Sequence, residues 1–115
     1  MRPDTAGVVA DLTSVLAAIE AVLKEPASGG PVAVARVEQT LTDGYARALE
    51  IEAERWRLER KISEVARLLT APDAADRARE LSTLSQRLAG ADAELVRLRK
   101  SLAALRQHAE AVRAA

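Results

Sequence analysis

Apolar residues recur at steps of three and four along two long stretches of the chain, over residues 34–65 and 81–112. This spacing is typical of one face of an α-helix, and its sevenfold repeat is typical of helices that pair as a coiled coil. The first stripe is Val34, Val37, Leu41, Gly44, Ala48, Ile51, Arg55, Leu58, Ile62 and Val65, and the second is Leu81, Leu84, Leu88, Ala91, Leu95, Leu98, Leu102, Leu105, Ala109 and Val112.

The two stripes mirror each other about Asp73. If the chain folds back there, Val65 meets Leu81, and each step along the first stripe is matched by an equal step back along the second, as far as Val34 and Val112. The pattern therefore predicts an all-α fold. Its core is a long antiparallel helical hairpin, or coiled coil, with a shorter N-terminal third helix packed on one flank as a three-helix bundle.

The whole chain is predicted to form a single helical domain, residues 1–115. The expected elements are a helix over 5–24, a linker over 25–30, a second helix over 31–70, a turn over 70–73 and a third helix over 74–113. Asp4 and Thr5 are the expected caps of the first helix. The linker contains Pro26, Gly29 and Gly30, which favour a chain reversal.

Signals at the helix ends agree with these bounds. Pro31 suits the first position of a helix, where its missing N–H costs no hydrogen bond. The apolar register is the same on both sides of Gly44, so the second helix is predicted to continue through that glycine. Pro72 stops this helix, and Asp73 is placed to cap the next one, with Asp76 in its first turn.

The remaining positions of the sevenfold repeat form two flanks beside the stripe, which occupies positions a and d. The e/b flank carries Tyr45, Leu49, Trp56, Ala89, Val96 and Ala103, and the g/c flank carries Arg47, Glu54, Arg57, Lys61, Glu64, Arg87, Glu94 and Arg97. Because the e/b flank is the more apolar, we expect the first helix to pack there. Its 20 or so residues would span ~30 Å, reach about Trp56, and leave residues 57–88 as a two-helix tip.

Composition narrows the class of protein. The 115 residues carry a formal net charge of zero, with interleaved acids and bases, and this argues against general binding to nucleic acid or an anionic membrane. No apolar run approaches the ~20 residues of a membrane span, and the N-terminus lacks the pattern of a secretory signal. A cytoplasmic protein without membrane contact is expected, and the preference for Arg and Ala suggests a bacterial one.

Candidate chemistry is sparse. His108 is the only histidine, cysteine is absent, and no carboxylate shares the helical face of His108, so an exposed histidine near a helix end is expected. Arg55 occupies a core position opposite Ala91, from which its guanidinium is expected to reach outward. No catalytic residue, cofactor site or metal site is predicted, and the protein is expected not to be an enzyme.

The best candidates for function are residues that could contact another protein: Trp56, Arg57, Arg60, Lys61, Arg87 and Glu94. Trp56 is either an anchor for a partner or a packing residue beneath the first helix. On the g/c flank, Lys61 is expected to face Arg87 and Glu54 to face Glu94. A second, antiparallel copy would bring these like charges to opposite ones, so a homodimer is an open possibility.

The sequence therefore predicts a non-enzymatic protein–protein interaction module: an adaptor, a chaperone-like protein or a regulatory partner of another protein. Two alternatives stay open. In one, the first helix is a detachable latch, and a partner competes for the e/b groove that it covers. In the other, the basic cluster around Arg57 and Arg60 makes the hairpin an RNA-binding arm, which the alternating acids Glu54, Glu59 and Glu64 make less favoured.

Overall fold

The computed structural model describes residues 10–70 and 72–115. It contains α1 (Leu12–Leu23), α2 (Pro31–Ala66) and α3 (Ala74–Ala114), with no strand among the described residues. The predicted all-α fold is confirmed, with α2 and α3 as an antiparallel helical hairpin and α1 as the shorter N-terminal helix. The chain divides into two compact units. The first holds the residues up to Leu49 together with Arg97–Ala115, and the second is Glu50–Val96.

Helix α1 begins later than the predicted start at Thr5. Ala10 and Asp11 are not helical, and Asp11 is extended, so that its carboxylate accepts a 2.8 Å hydrogen bond from the Ser14 amide. Asp11 is therefore the N-cap, as its residue type favours. The caps predicted at Asp4 and Thr5 lie outside the described residues.

The apolar stripe of α1 is buried in the first unit through Leu12, Val15, Ile19 and Val22. The helix ends at Leu23 and has 12 residues, which span about 18 Å rather than the ~30 Å expected for 20 residues. This shorter length agrees with the boundary of the three-helix unit, which falls before Glu50 instead of near Trp56.

Helix α2 begins at Pro31 as predicted and is continuous through Gly44. Gly30 precedes it with φ 111°, a conformation that favours glycine, and its carbonyl accepts the first helical hydrogen bond from the Val34 amide at 3.1 Å. Gly44 is buried, because the other helices come close to its backbone. A Cβ at Gly44 would lie 2.5 Å from Leu102 Cδ2 and 3.7 Å from Ile19 Cδ1.

Helix α1 packs on the g/c flank of the first unit, so its predicted position on the e/b flank is wrong. Its side chains line a cleft with Arg97 and Ser101 of α3, and Arg47 lies near enough to Asp11 to act on its charge. On the e/b flank, by contrast, Tyr45 is 40% exposed and Leu49 is 67% exposed.

On the e/b flank of the first unit, side chains of α3 bond to side chains of α2. Arg106 Nη1 donates to Tyr45 Oη at 3.1 Å, and Arg113 Nη2 donates to Glu38 Oε2 at 3.4 Å. Both hydrogen bonds cross from α3 to α2 over the groove that a third helix would need. On the g/c flank the smaller Ser101 lets α1 approach.

The second unit has a core made from α2 and α3 alone. Its buried residues are Leu58, Val65 and Leu84, and its partly buried residues are Ile62, Leu81 and Leu88. These six residues are the facing layers of the mirrored stripes. The antiparallel register predicted from the sequence is therefore the register that this core uses.

Helix α2 ends at Ala66, four residues before the predicted end. Beyond Ala66 the α-helical backbone hydrogen bonds give way to tighter turns, in which the Leu68 amide donates to the Val65 carbonyl at 2.9 Å. Val65 is the last buried residue of the stripe and Leu69 is exposed, so there is no further core for the helix to pack on. Helix α3 starts as predicted: the Asp73 carbonyl accepts from the Arg77 amide at 3.1 Å. Of the predicted turn, Ala71 lies outside the described residues.

Two glycine substitutions test the close approach at Gly44. Both Gly44 and Gly90 lie inside helices, so each change to alanine removes a helix penalty of about 0.5–1 kcal/mol. A Cβ at Gly90 meets nothing within 4 Å, and Gly90→Ala should raise the free energy of unfolding by that amount. Gly44→Ala must also displace the buried Leu102, which costs about 1–3 kcal/mol. This variant should therefore have a lower free energy of unfolding than wild type. Chemical unfolding of both variants measures this, and equal stabilisation by the two would contradict the packing.

The Asp11 cap makes the stability of α1 depend on pH. Hydrogen bonds from the Ser14 amide and then the Ser14 hydroxyl, with a smaller effect of Arg47, hold the pKa of the Asp11 carboxyl below its ordinary value of 3.8. The stabilisation is therefore complete above pH 3.8 and is lost as the pH falls through the lowered pKa. We expect wild type to be more helical than Asp11→Ala at neutral pH, and this difference should disappear as the pH falls through the lowered pKa. Asp11→Ser, whose cap does not titrate, should stay more helical than Asp11→Ala at every pH. Parallel pH profiles for both caps would contradict this.

Candidate functional site

Trp56 is the largest exposed side chain of the second unit. It lies on α2 and is 57% exposed, whereas Leu58, two residues on, is 4% exposed in the core. Of the two alternatives for Trp56, packing beneath the first helix is therefore wrong, and the role of a partner anchor stays a prediction. Its indole is left on the outer side of the helix, where it can contact another molecule.

The side chains around Trp56 form a shallow depression on the outer face of α2, with a volume of about 180 Å³. We call it the Trp56 surface. It is lined by Trp56, Arg57, Arg60, Lys61 and Glu64. The Arg60 guanidinium lies over the indole, 4.8 Å from the ring centroid, within the range of a cation–π interaction.

Three cations and one carboxylate line the Trp56 surface, so its local charge is positive. Arg57 and Lys61 form no hydrogen bond or ion pair with any described residue. They lie four residues apart, on one side of the helix. Four of the six sequence-predicted contact residues are thus brought together on this surface.

Arg87 and Glu94, the other two predicted contacts, lie on α3. The Arg87 guanidinium Nη2 is 3.7 Å from Glu54 Oε1, so this arginine pairs diagonally with an acid of α2 instead of facing Lys61. That pair uses two of the four charges on which the predicted homodimer depends. Dimerisation stays a prediction, with Lys61 and Glu94 as its remaining charges.

Arg55 behaves as its core position predicts. Its Nε lies 2.5 Å from Asp92 Oδ1, and its side chain is one-third exposed. The small Ala91, which is buried, leaves room for the aliphatic stem of Arg55 while the guanidinium reaches the surface. Arg55 is therefore held by a carboxylate of its own chain and is not a free ligand group.

The first unit has a separate cleft between α1 and α3, lined by Leu16, Ile19, Glu20, Leu23, Arg97, Lys100 and Ser101. Its position corrects the latch hypothesis, because α1 does not lie in the e/b groove that a partner was expected to share. Release of α1 by a partner stays a prediction. His108, expected to be exposed, is half-buried, since it belongs to the same flank of α3 as Ser101.

Sequence reasoning did not separate the paired cations of the second unit from the unpaired ones. Arg77 Nε lies 3.2 Å from Asp73 Oδ2, and Arg79 pairs with Asp76, in each case one helical turn away. Charge spacing could have found these two pairs. No spacing signal points to the diagonal contact of Arg87 with Glu54, and that contact depends on how the two helices pack.

Among residues 10–70 and 72–115, no group of three His, Cys, Asp or Glu side chains is arranged to hold a metal ion. No helix in the same part of the chain combines the length and the apolarity that crossing a membrane requires. Comparison with protein-family models, with curated proteins and with solved structures found no match. The assignment of the candidate site therefore depends on its geometry alone.

Because Trp56 is exposed and Leu58 is buried, truncating these two side chains should have very different effects on the free energy of unfolding. Trp56→Ala removes an exposed side chain and should change the free energy of unfolding by no more than about 1 kcal/mol. Leu58→Ala empties a core position and should cost about 2–5 kcal/mol. Thermal and chemical unfolding of the two variants provide the measurement. A Trp56→Ala variant as unstable as Leu58→Ala would show that the indole is part of the core.

Proposed function

We propose that this protein is a non-enzymatic protein–protein interaction module, an adaptor or regulatory partner of another protein, and that the Trp56 surface is its contact site. The observation that carries the proposal is the exposed indole of Trp56 beside two cations that lack partners in the described chain. Tryptophan and arginine are the residues most enriched among those that dominate binding energy at protein interfaces.

The construction of the second unit supports a binding role. Its core consists of thin layers between α2 and α3, with Leu58 and Val65 among its buried residues, and Trp56 adds nothing to that core. A tryptophan on a helix surface can instead anchor a partner protein. The rigid helix also holds Trp56, Arg57 and Lys61 at fixed spacing, which lowers the entropy lost on binding.

An RNA-binding arm is the weaker alternative. Single-stranded RNA is bound by stacking successive bases on several aromatic rings along a positive groove. The Trp56 surface has one ring, with Arg60 over it, and Glu64 lies among its cations. A cytoplasmic location and a bacterial origin belong to the proposal only as expectations from composition.

Site-specific photo-cross-linking in the cells that make the protein tests the proposal. A benzophenone amino acid at position 56 should yield a discrete covalent adduct with another protein, identified by mass spectrometry. The same group at Gln86, an exposed position of α3 in the same unit, should not yield it. Arg57→Glu combined with Lys61→Glu should abolish the adduct from position 56, because these substitutions reverse the charge of the surface.

Two results would count against the proposed contact site. One is the same set of adducts from position 56 and position 86, which would indicate random collisions. The other is an adduct from position 56 that survives the double charge reversal. An adduct between two copies of this chain would show that the partner is a second copy, as in the predicted homodimer.

A further inference from the structure

The arginines of α3 in the second unit are better paired than the cations of the Trp56 surface. Every arginine of α3 in this unit has a carboxylate partner: Arg77 pairs with Asp73 and Glu80, Arg79 pairs with Asp76, and Arg87 pairs with Glu54. Arg55 pairs with Asp92. Arg57 and Lys61 have no such partner among the described residues. Arg57 and Lys61 are therefore available to bind carboxylates of another molecule.

We infer that the Trp56 surface binds an acidic helical segment of the partner protein, whose carboxylates lie one helical turn apart and engage Arg57 and Lys61. The inference rests on the proposed function and specifies its partner. Residues four apart on a helix are separated by about 6 Å along its axis. Two carboxylates at the same spacing on a facing helix match this separation.

Arg60 and Trp56 complete the site. The Arg60 guanidinium lies over the indole, and its N–H groups can donate to a carboxylate. The remaining indole surface can accept an aliphatic side chain between the two acids. Glu64, the one acid among the lining residues, repels a partner whose carboxylates extend further along α2, and this sets where the acidic segment stops.

Trp56 is the only tryptophan of the chain, and its emission reports on the site directly. The probe is a helical peptide of about 15 residues, made from Glu, Leu, Ala and Gln with glutamates four apart, and without Trp or Tyr. Titrated into the full chain at low ionic strength, it should change the Trp56 emission saturably. The affinity should fall steeply as salt is added, because exposed charges are screened.

Two peptides and two variants make the test specific. The same peptide with glutamine at every glutamate should bind at least about tenfold more weakly. Arg57→Gln with Lys61→Gln should weaken binding of the acidic peptide by a similar factor. The matched control, Arg97→Gln with Lys100→Gln, removes the same charge from the first unit and should leave the affinity within about twofold.

Four outcomes would overturn the inference: equal affinity for the glutamate and glutamine peptides, equal loss in both double variants, no response to the acidic peptide, or tighter binding of a single-stranded oligouridylate. The first three outcomes would not contradict the proposed interaction module, because cross-linking from position 56 tests that proposal separately. Tighter oligouridylate binding would favour the RNA-binding arm, and the absence of a protein adduct from position 56 would then remove the proposed function as well.

Discussion

The close approach at Gly44 is the constraint on which the arrangement of the three helices in the first unit depends. A Cβ at this position would overlap Leu102 of α3 and would touch Ile19 of α1. Any residue larger than glycine would have to displace the Leu102 side chain. With α1 on the g/c flank, Tyr45 and Leu49 are exposed on the e/b flank.

Much of the fold could be predicted because periodicity reports on burial along each helix. The mirrored stripes gave the facing layers of the second unit, including Leu58 and Leu84, and Pro31 marked the start of α2. These features depend on local spacing and on the missing N–H of proline. Gly44 was correctly assigned to a continuous helix, although its role as the point of closest approach requires knowing which side chains meet there.

The side on which α1 packs could not be predicted, because counting apolar residues on a flank ignores what already covers it. The e/b flank carries the larger side chains, yet hydrogen bonds from Arg106 to Tyr45 and from Arg113 to Glu38 cross its groove. The candidate site was limited in a similar way. Trp56 and its basic neighbours can be found from the sequence, but which cations form ion pairs depends on contacts between helices, such as that of Arg87 with Glu54.

Disulfide trapping tests the central claim, that α1 lies on the g/c flank, most directly, because the chain contains no cysteine. Glu20→Cys combined with Lys100→Cys places two thiols on one cleft, and Glu20→Cys combined with Arg106→Cys places them on opposite flanks. Under mild oxidation the first pair should form an intramolecular disulfide rapidly, and the second should stay reduced. Rapid closure of the second pair, with the first left reduced, would contradict the account.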